Sequence, residues 1–154
     1  MKYFYLFLFA MQISGFEALA KPAAVDNKFS FLVEALNLKE ISSEFVVVNV
    51  WSPSCEPCGK EVNELNQISS QEVRVLGLPI DGRKKEAEEF ILHFKPRYQQ
   101  VYLDADSKKQ LFEVGKIPYT ILFNKKRNLV QEWAGTITAS DLILAVAKQE
   151  RPVK

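Results

Sequence analysis

The sequence predicts one α/β domain, a central mixed β-sheet flanked by helices on both faces. Three observations predict it. The run Phe45-Val46-Val47-Val48-Asn49-Val50-Trp51 is β-branched and almost continuously apolar, as a strand covered on both faces must be. A helix-period segment and then a second apolar run, residues 72–80, follow it, which makes a βαβ unit. Nearer the C-terminus, residues 119–123 and 129–133 alternate around the polar turn Asn124-Lys125-Lys126-Arg127-Asn128, the pattern of a hairpin.

The elements follow in chain order. Residues 1–20 read as a secretory signal rather than as part of the fold. Lys2 supplies the positive start, Tyr3 to Met11 is uninterrupted apolar sequence, and Ala18-Leu19-Ala20 has the small-x-small form of a cleavage site. Cleavage after Ala20 is expected. The alternative, an N-terminal membrane anchor, is disfavoured because the apolar run falls well short of the ~20 residues that span a bilayer. Residues 21–28 are polar and proline-containing, a linker. The domain is expected over residues 29–149, with 150–154 as a tail.

Residues 29–41 are ambiguous, since Phe31, Leu32, Ala35 and Leu36 suit a helix while Phe29, Phe31 and Val33 suit a strand. After the central strand, Ser52-Pro53-Ser54 breaks the pattern and a helix is expected from Pro57 to Ser69, with Val62, Leu65 and Ile68 at core spacing. Residues 83–94 form an amphipathic helix with Ala87, Phe90, Ile91 and Phe94 on one face, stopped by Pro96. A short strand at 101–103 and a helix at 107–114, closed by Gly115, come next. After the hairpin, Thr138-x-x-Asp141 is a capping box that opens a last helix through Lys148. The basic triplet Lys125-Lys126-Arg127 reads as a solvated hairpin tip, Trp133 as core, and His93 as structural or exposed.

Composition narrows the function. Of 154 residues 47% are hydrophobic and 25% charged, an ordinary globular balance. Twenty Lys and Arg against 19 Asp and Glu leave a net charge of +1, which gives no electrostatic case for nucleic acid. Two cysteines and one histidine exclude a multi-disulfide scaffold and fall short of a protein-only zinc site.

The chemistry concentrates in Trp51-Ser52-Pro53-Ser54-Cys55-Glu56-Pro57-Cys58-Gly59-Lys60-Glu61. A C-x-x-C pair where a strand feeds a helix puts the first thiol at the helix N-terminus. There, unpaired backbone N–H groups and the helix dipole favour a thiolate. The second thiol lies about one turn on, in reach of a mixed disulfide formed at the first. Cys55 is therefore the expected nucleophile and Cys58 the resolving thiol, with Pro57 suited to the first helical turn. An inert disulfide is disfavoured because so small a loop stabilises little through chain entropy.

These residues resemble the thioredoxin-fold thiol:disulfide oxidoreductases, in particular the exported TlpA/ResA/DsbE branch. Trp51, Cys55-Glu56-Pro57-Cys58 and Glu61 match its W-x-x-x-C-x-x-C-x-x-E pattern, Leu103-Asp104 through Gly115-Lys116-Ile117-Pro118-Tyr119-Thr120 its approach to a cis-proline, and residues 83–103 its helix–strand insertion. The resemblance covers roughly residues 29–148. It implies a thioredoxin-like fold, with Pro118 cis and facing a redox disulfide between Cys55 and Cys58. The backbone of Ile117 would then pair with substrate, and Glu61 would handle the Cys58 proton, the alternative for Glu61 being an ordinary solvated helix glutamate.

Asn49 stands where plain thioredoxins carry a buried aspartate, which shifts the proton-carrying role to Glu61. Ser54 and Asn63 depart from the Trp and Pro usual in the branch, and bear on partner choice and redox poise. The resemblance further implies a periplasmic or otherwise exported monomer without cofactor. Its partners would be exported protein thiols and disulfides and a membrane thiol donor of the DsbD/CcdA type. The expected direction is reduction, including cytochrome c maturation, although oxidation of substrate thiols uses the same residues. Two other readings stay open: a Cu(I) metallochaperone, which needs a third ligand beside the two thiolates, and an inactive interaction module.

Overall fold

The computed structural model describes residues 28–68, 70, 72–112 and 115–150. The expected signal, all of the linker but Lys28, and the tail beyond Glu150 lie outside them, as do Ser69, where the second helix was expected to end, and Val114, where the fourth was. Among the described residues five strands form one sheet in the order β3-β2-β1-β4-β5, from β1 (Phe45–Trp51), β2 (Val73–Pro79), β3 (Gln99–Gln100), β4 (Tyr119–Phe123) and β5 (Leu129–Ala134). β1 pairs parallel with β2 and antiparallel with β4, so the sheet is mixed. Among the described residues five α-helices accompany the sheet: α1 (Ser30–Ala35), α2 (Glu56–Leu65), α3 (Lys84–Phe94), α4 (Ala105–Phe112) and α5 (Ala139–Glu150).

Every residue of β1 is buried, and its side chains divide between two cores by the two-residue period of a strand. Val46, Val48 and Val50 join Phe29 and Leu32 around α1 and Leu103 and Leu111 around α4. Phe45 and Val47 face the other way, onto Leu65 and Ile68 at the end of α2 and Leu142 and Ala145 of α5. Each buried Val or Phe is worth about 1.5–3 kcal/mol, and a one-residue slip would exchange the two sets. That penalty pins the register Val47↔Val75 and Val47↔Leu122 on either side. Helices thus cover both faces, as expected. Among the described residues no helix is long and apolar enough to cross a membrane.

Several elements differ from their expected form. The ambiguous residues 29–41 become α1 followed by a 3-10 turn, Leu38–Glu40. α2 starts one residue earlier than expected and ends at Leu65. α4 starts at Ala105, because the Asp104 carboxylate accepts hydrogen bonds from the Ser107 N–H (2.8 Å) and hydroxyl (2.9 Å). The short strand lies at Gln99–Gln100 rather than 101–103. As the outermost strand of the sheet it tolerates polar residues, while Leu103 leaves the ladder to fill the core.

The basic triplet is only partly a solvated tip. Lys125 and Lys126 are exposed, but Arg127 is 4% exposed. Its guanidinium donates to the carbonyls of Leu38, Ile41, Ser43 and Asn124, closing the loop that enters β1 onto the hairpin. Trp133 is half-buried against the second core rather than fully inside, and His93 is exposed on α3, edge-on to Phe94.

Candidate functional site

At the C-terminal end of β1 the chain leaves the sheet at Ser52 and turns into α2. Buried Ser52 organises the turn: its hydroxyl meets Ser54 Oγ at 2.8 Å and accepts from the Ser54 N–H, and its carbonyl accepts from the Cys55 N–H at 3.1 Å. Cys55 caps α2 in an extended conformation, and Pro57 lies in the first turn, where no N–H is needed. Cys55 and Cys58 are joined by a disulfide, with Cα atoms 5.4 Å apart. Their exposures differ: Cys58 is 1% exposed while Cys55 is half-buried with exposed neighbours Ser54 and Glu56.

Cys58 belongs to a small apolar cluster with Trp51, Val62, Ala87 and Phe90, against which Cys55, Phe94 and Ile117 also pack. Ile117 thus packs against the cluster that holds Cys58. The Ile117–Pro118 peptide bond is cis, and buried Pro118 leads into β4, whose Tyr119 pairs with Val50 at the end of β1. Gly59 permits the close packing, because a Cβ there would lie 2.2 Å from the Phe94 ring.

Glu61 is one turn beyond Cys58, on the same side of α2. It is 0% exposed. One carboxylate oxygen accepts from Asn49 Nδ2 at 2.7 Å; the other accepts from the Ile137 N–H at 3.0 Å and the Thr120 hydroxyl at 3.5 Å. Asn49 also donates to Thr120 Oγ1 at 3.1 Å. Burial pushes the Glu61 carboxyl up to about 7, and these three donors hold it from rising further. A carboxyl poised there exchanges protons readily at neutral pH.

Sequence reasoning singled out Asn49 and Glu61 but missed Thr120 and Ile137 as their partners. Thr120 is the one polar residue within the buried strand β4, a signal of the same kind as Asn49 within β1. Ile137 contributes only its backbone, which no side-chain pattern reveals. Among the described residues no group of three or more His, Cys, Asp or Glu side chains is arranged to hold a metal ion.

No family model matches the chain. Two curated relatives are thiol-disulfide oxidoreductases named ResA. The protein from Geobacillus kaustophilus is 27% identical over 109 residues, covering 68% of this chain and 63% of its own length. That from Bacillus subtilis is 27% identical over 110 residues, covering 68% and 61%. The chain therefore spans less than two thirds of the length of these relatives. Among solved structures, the thioredoxin domain of a thiol-disulfide oxidoreductase from Bacteroides vulgatus superposes with a TM-score of 0.61 at 25% identity, over 74% of this chain and 84% of that one. By fold and by sequence likeness, this is a thioredoxin-like α/β chain similar to the TlpA/ResA/DsbE branch of thiol-disulfide oxidoreductases.

Proposed function

We propose that the chain is an exported thiol:disulfide oxidoreductase that reduces disulfides of other exported proteins through Cys55 and Cys58. The observation that carries this reading is the asymmetry of the pair: a half-exposed cysteine at a helix N-terminus, and a buried one a turn from a buried carboxyl poised near 7. In the reduced protein the Cys55 thiolate attacks one sulfur of a substrate disulfide. That S–S bond breaks, a Cys55–substrate disulfide forms, and the departing substrate thiolate takes a proton from solvent. Glu61 then accepts the Cys58 proton, and the Cys58 thiolate attacks Cys55 Sγ. The mixed disulfide breaks, the second substrate thiolate leaves and is protonated, and Cys55–Cys58 is oxidised. Two electrons pass to the substrate.

A substrate strand laid along the Ile117–Pro118 backbone would present its disulfide to Cys55. A membrane thiol donor of the DsbD/CcdA type would return the electrons, and apocytochrome c is one fitting substrate class. The likeness to ResA proteins and the leader-like residues 1–20 support export; the oxidising direction would use the same residues and depends on reduction potential.

The test is Cys58→Ser in the native host, with trapped adducts resolved on non-reducing gels. Mixed disulfides through Cys55 should accumulate, and partners carrying a haem-attachment C-x-x-C-H would identify cytochrome maturation. No adducts, together with a wild-type pair that never changes state, would overturn the redox reading. Stoichiometric Cu(I) binding in place of cycling would turn it toward metal transfer.

A further inference from the structure

Trp51, 2% exposed, shares the apolar cluster of Cys58, and its indole stacks on Phe90 with ring centroids 4.2 Å apart and planes 20° from parallel. The stack fixes one face of the indole. Its one polar atom, Nε1, needs an acceptor in a site that excludes water, and it finds it across the sheet: Trp51 Nε1 donates to Gln100 Oε1 at 3.0 Å. Gln100 belongs to β3, the outermost strand, and its Nε2 donates to the Tyr98 carbonyl at 3.1 Å, so both ends of the amide are engaged.

The amide also needs room. It lies over Gly77 of β2, where a Cβ would come within 2.1 Å of Oε1 and 2.5 Å of Nε2. Glycine weakens a strand interior, so its presence in the middle of β2 has its reason in this close approach. Three residues on three strands thus combine: a notch at Gly77, an amide seated in it, and an indole held by that amide.

We propose that Gln100 is a positioning residue for the Cys55–Cys58 pair: its amide, seated over Gly77, fixes the Trp51 indole as a rigid wall of the cluster that holds Cys58. This rests on the redox reading above. Reduction by two glutathione molecules converts the Cys55–Cys58 bond to two thiols and yields one glutathione disulfide. The two freed sulfurs move apart to van der Waals contact, so the surrounding wall must yield. A wall held by stacking on one side and by a hydrogen bond at its edge yields less than one held by stacking alone, and the disulfide is favoured accordingly.

The experiment is a double-mutant cycle of Gln100→Leu and Trp51→Phe, read as the equilibrium constant of the pair against glutathione by thiol alkylation, with circular dichroism to verify folding. Gln100→Leu removes the acceptor and should move the equilibrium toward the dithiol by up to about tenfold, the ceiling set by a hydrogen bond held in the disulfide form and strained in the dithiol. In a Trp51→Phe background, which has no indole N–H, the same change should add less than about twofold. Gly77→Ala, which pushes the amide out of its notch, should act in the same direction as Gln100→Leu and carries the test if the leucine variant does not fold. A folded Gln100→Leu or Gly77→Ala protein with the wild-type equilibrium constant overturns the proposal, as does a full effect of Gln100→Leu without the indole N–H. A wild-type pair that never changes state overturns this proposal and the redox reading together, a result distinct from either.

Discussion

Replacing Glu61 by glutamine should flatten the pH dependence of stability of the oxidised domain. The folded carboxyl lies at about 7 against an ordinary 4.5, chiefly because burial penalises its charge. Between these values the folded state keeps a proton that the unfolded chain has released. The group's contribution is therefore fully present below about pH 4.5, is lost as pH rises toward 7, and levels off above. At about 1.4 kcal/mol per tenfold change in proton affinity, the loss is about 3 kcal/mol, a large part of the ~5–15 kcal/mol by which domains are stable. Glutamine has the shape and neutrality of the protonated acid, and its oxygen still accepts from Asn49 or from the Ile137 N–H. The assay is urea unfolding without reductant, at half-unit steps from pH 4.5 to 7.5. With a slope of about 1–3 kcal/mol per molar urea, the wild-type midpoint should fall about 1–3 M further than that of Glu61→Gln across this range. Equal pH slopes in the two proteins would refute the argument that buried Glu61 carries the shift.

Three further substitutions separate the scaffold from the site. Arg127→Met leaves the Ile41 and Ser43 carbonyls without their donor and the Leu38 carbonyl with the Ile41 N–H alone, and should cost about 3 kcal/mol in urea unfolding; the rate of disulfide exchange should stay at the wild-type value, and a change there would contradict the separation. Gly59→Ala sets a helix-propensity gain of about 1 kcal/mol against a Cβ placed 2.2 Å from the Phe94 ring. Overpacking costs of about 1–3 kcal/mol should win, so the melting temperature should fall, and a rise would mean that the ring gives way freely. Thr138→Ala removes the hydroxyl that accepts from the Asp141 N–H and donates to its carboxylate; a loss of about 1 kcal/mol is expected by thermal unfolding, and none would show that the cap of α5 is dispensable.

The central sheet is legible in the sequence because β1 and β2 bury both faces, so their composition alone announces them. The hairpin and the capping box at Thr138 are legible because each depends on neighbours within a few residues. What sequence hides is the contact made at long range by a residue of ordinary type. Arg127 lies in a basic run that reads as solvated, yet the positive φ of 62° that closes the hairpin turns its side chain inward onto carbonyls more than 80 residues away. Gln99 and Gln100 have no strand character of their own; pairing with Leu76 and Gly77 imposes it. Cys55 and Cys58 stand out by spacing, whereas two of the three partners of Glu61 are one hydroxyl and one backbone N–H, brought to it only when β4 and the segment before α5 close over α2.

That closure bears on the proposed role of Glu61 as proton carrier for Cys58. When ionised, it accepts from Asn49, from the Ile137 N–H and from the Thr120 hydroxyl, so three donors share the buried charge. When protonated, it needs an acceptor, and Thr120 Oγ1 serves by a rotation of its own hydroxyl, since that oxygen has a second lone pair beside the one taken by Asn49 Nδ2. The carboxyl thus keeps a partner in both protonation states within the same four residues, the Thr120 hydroxyl giving up its own bond to Glu61 when the acid is protonated. Asn49 matters here through what it lacks. A carboxylate at 49 would couple to Glu61 and split the titration into two steps belonging to the pair, one of them well above neutrality. An amide leaves one carboxyl and one midpoint, close to the pH at which a thiol has to give up its proton.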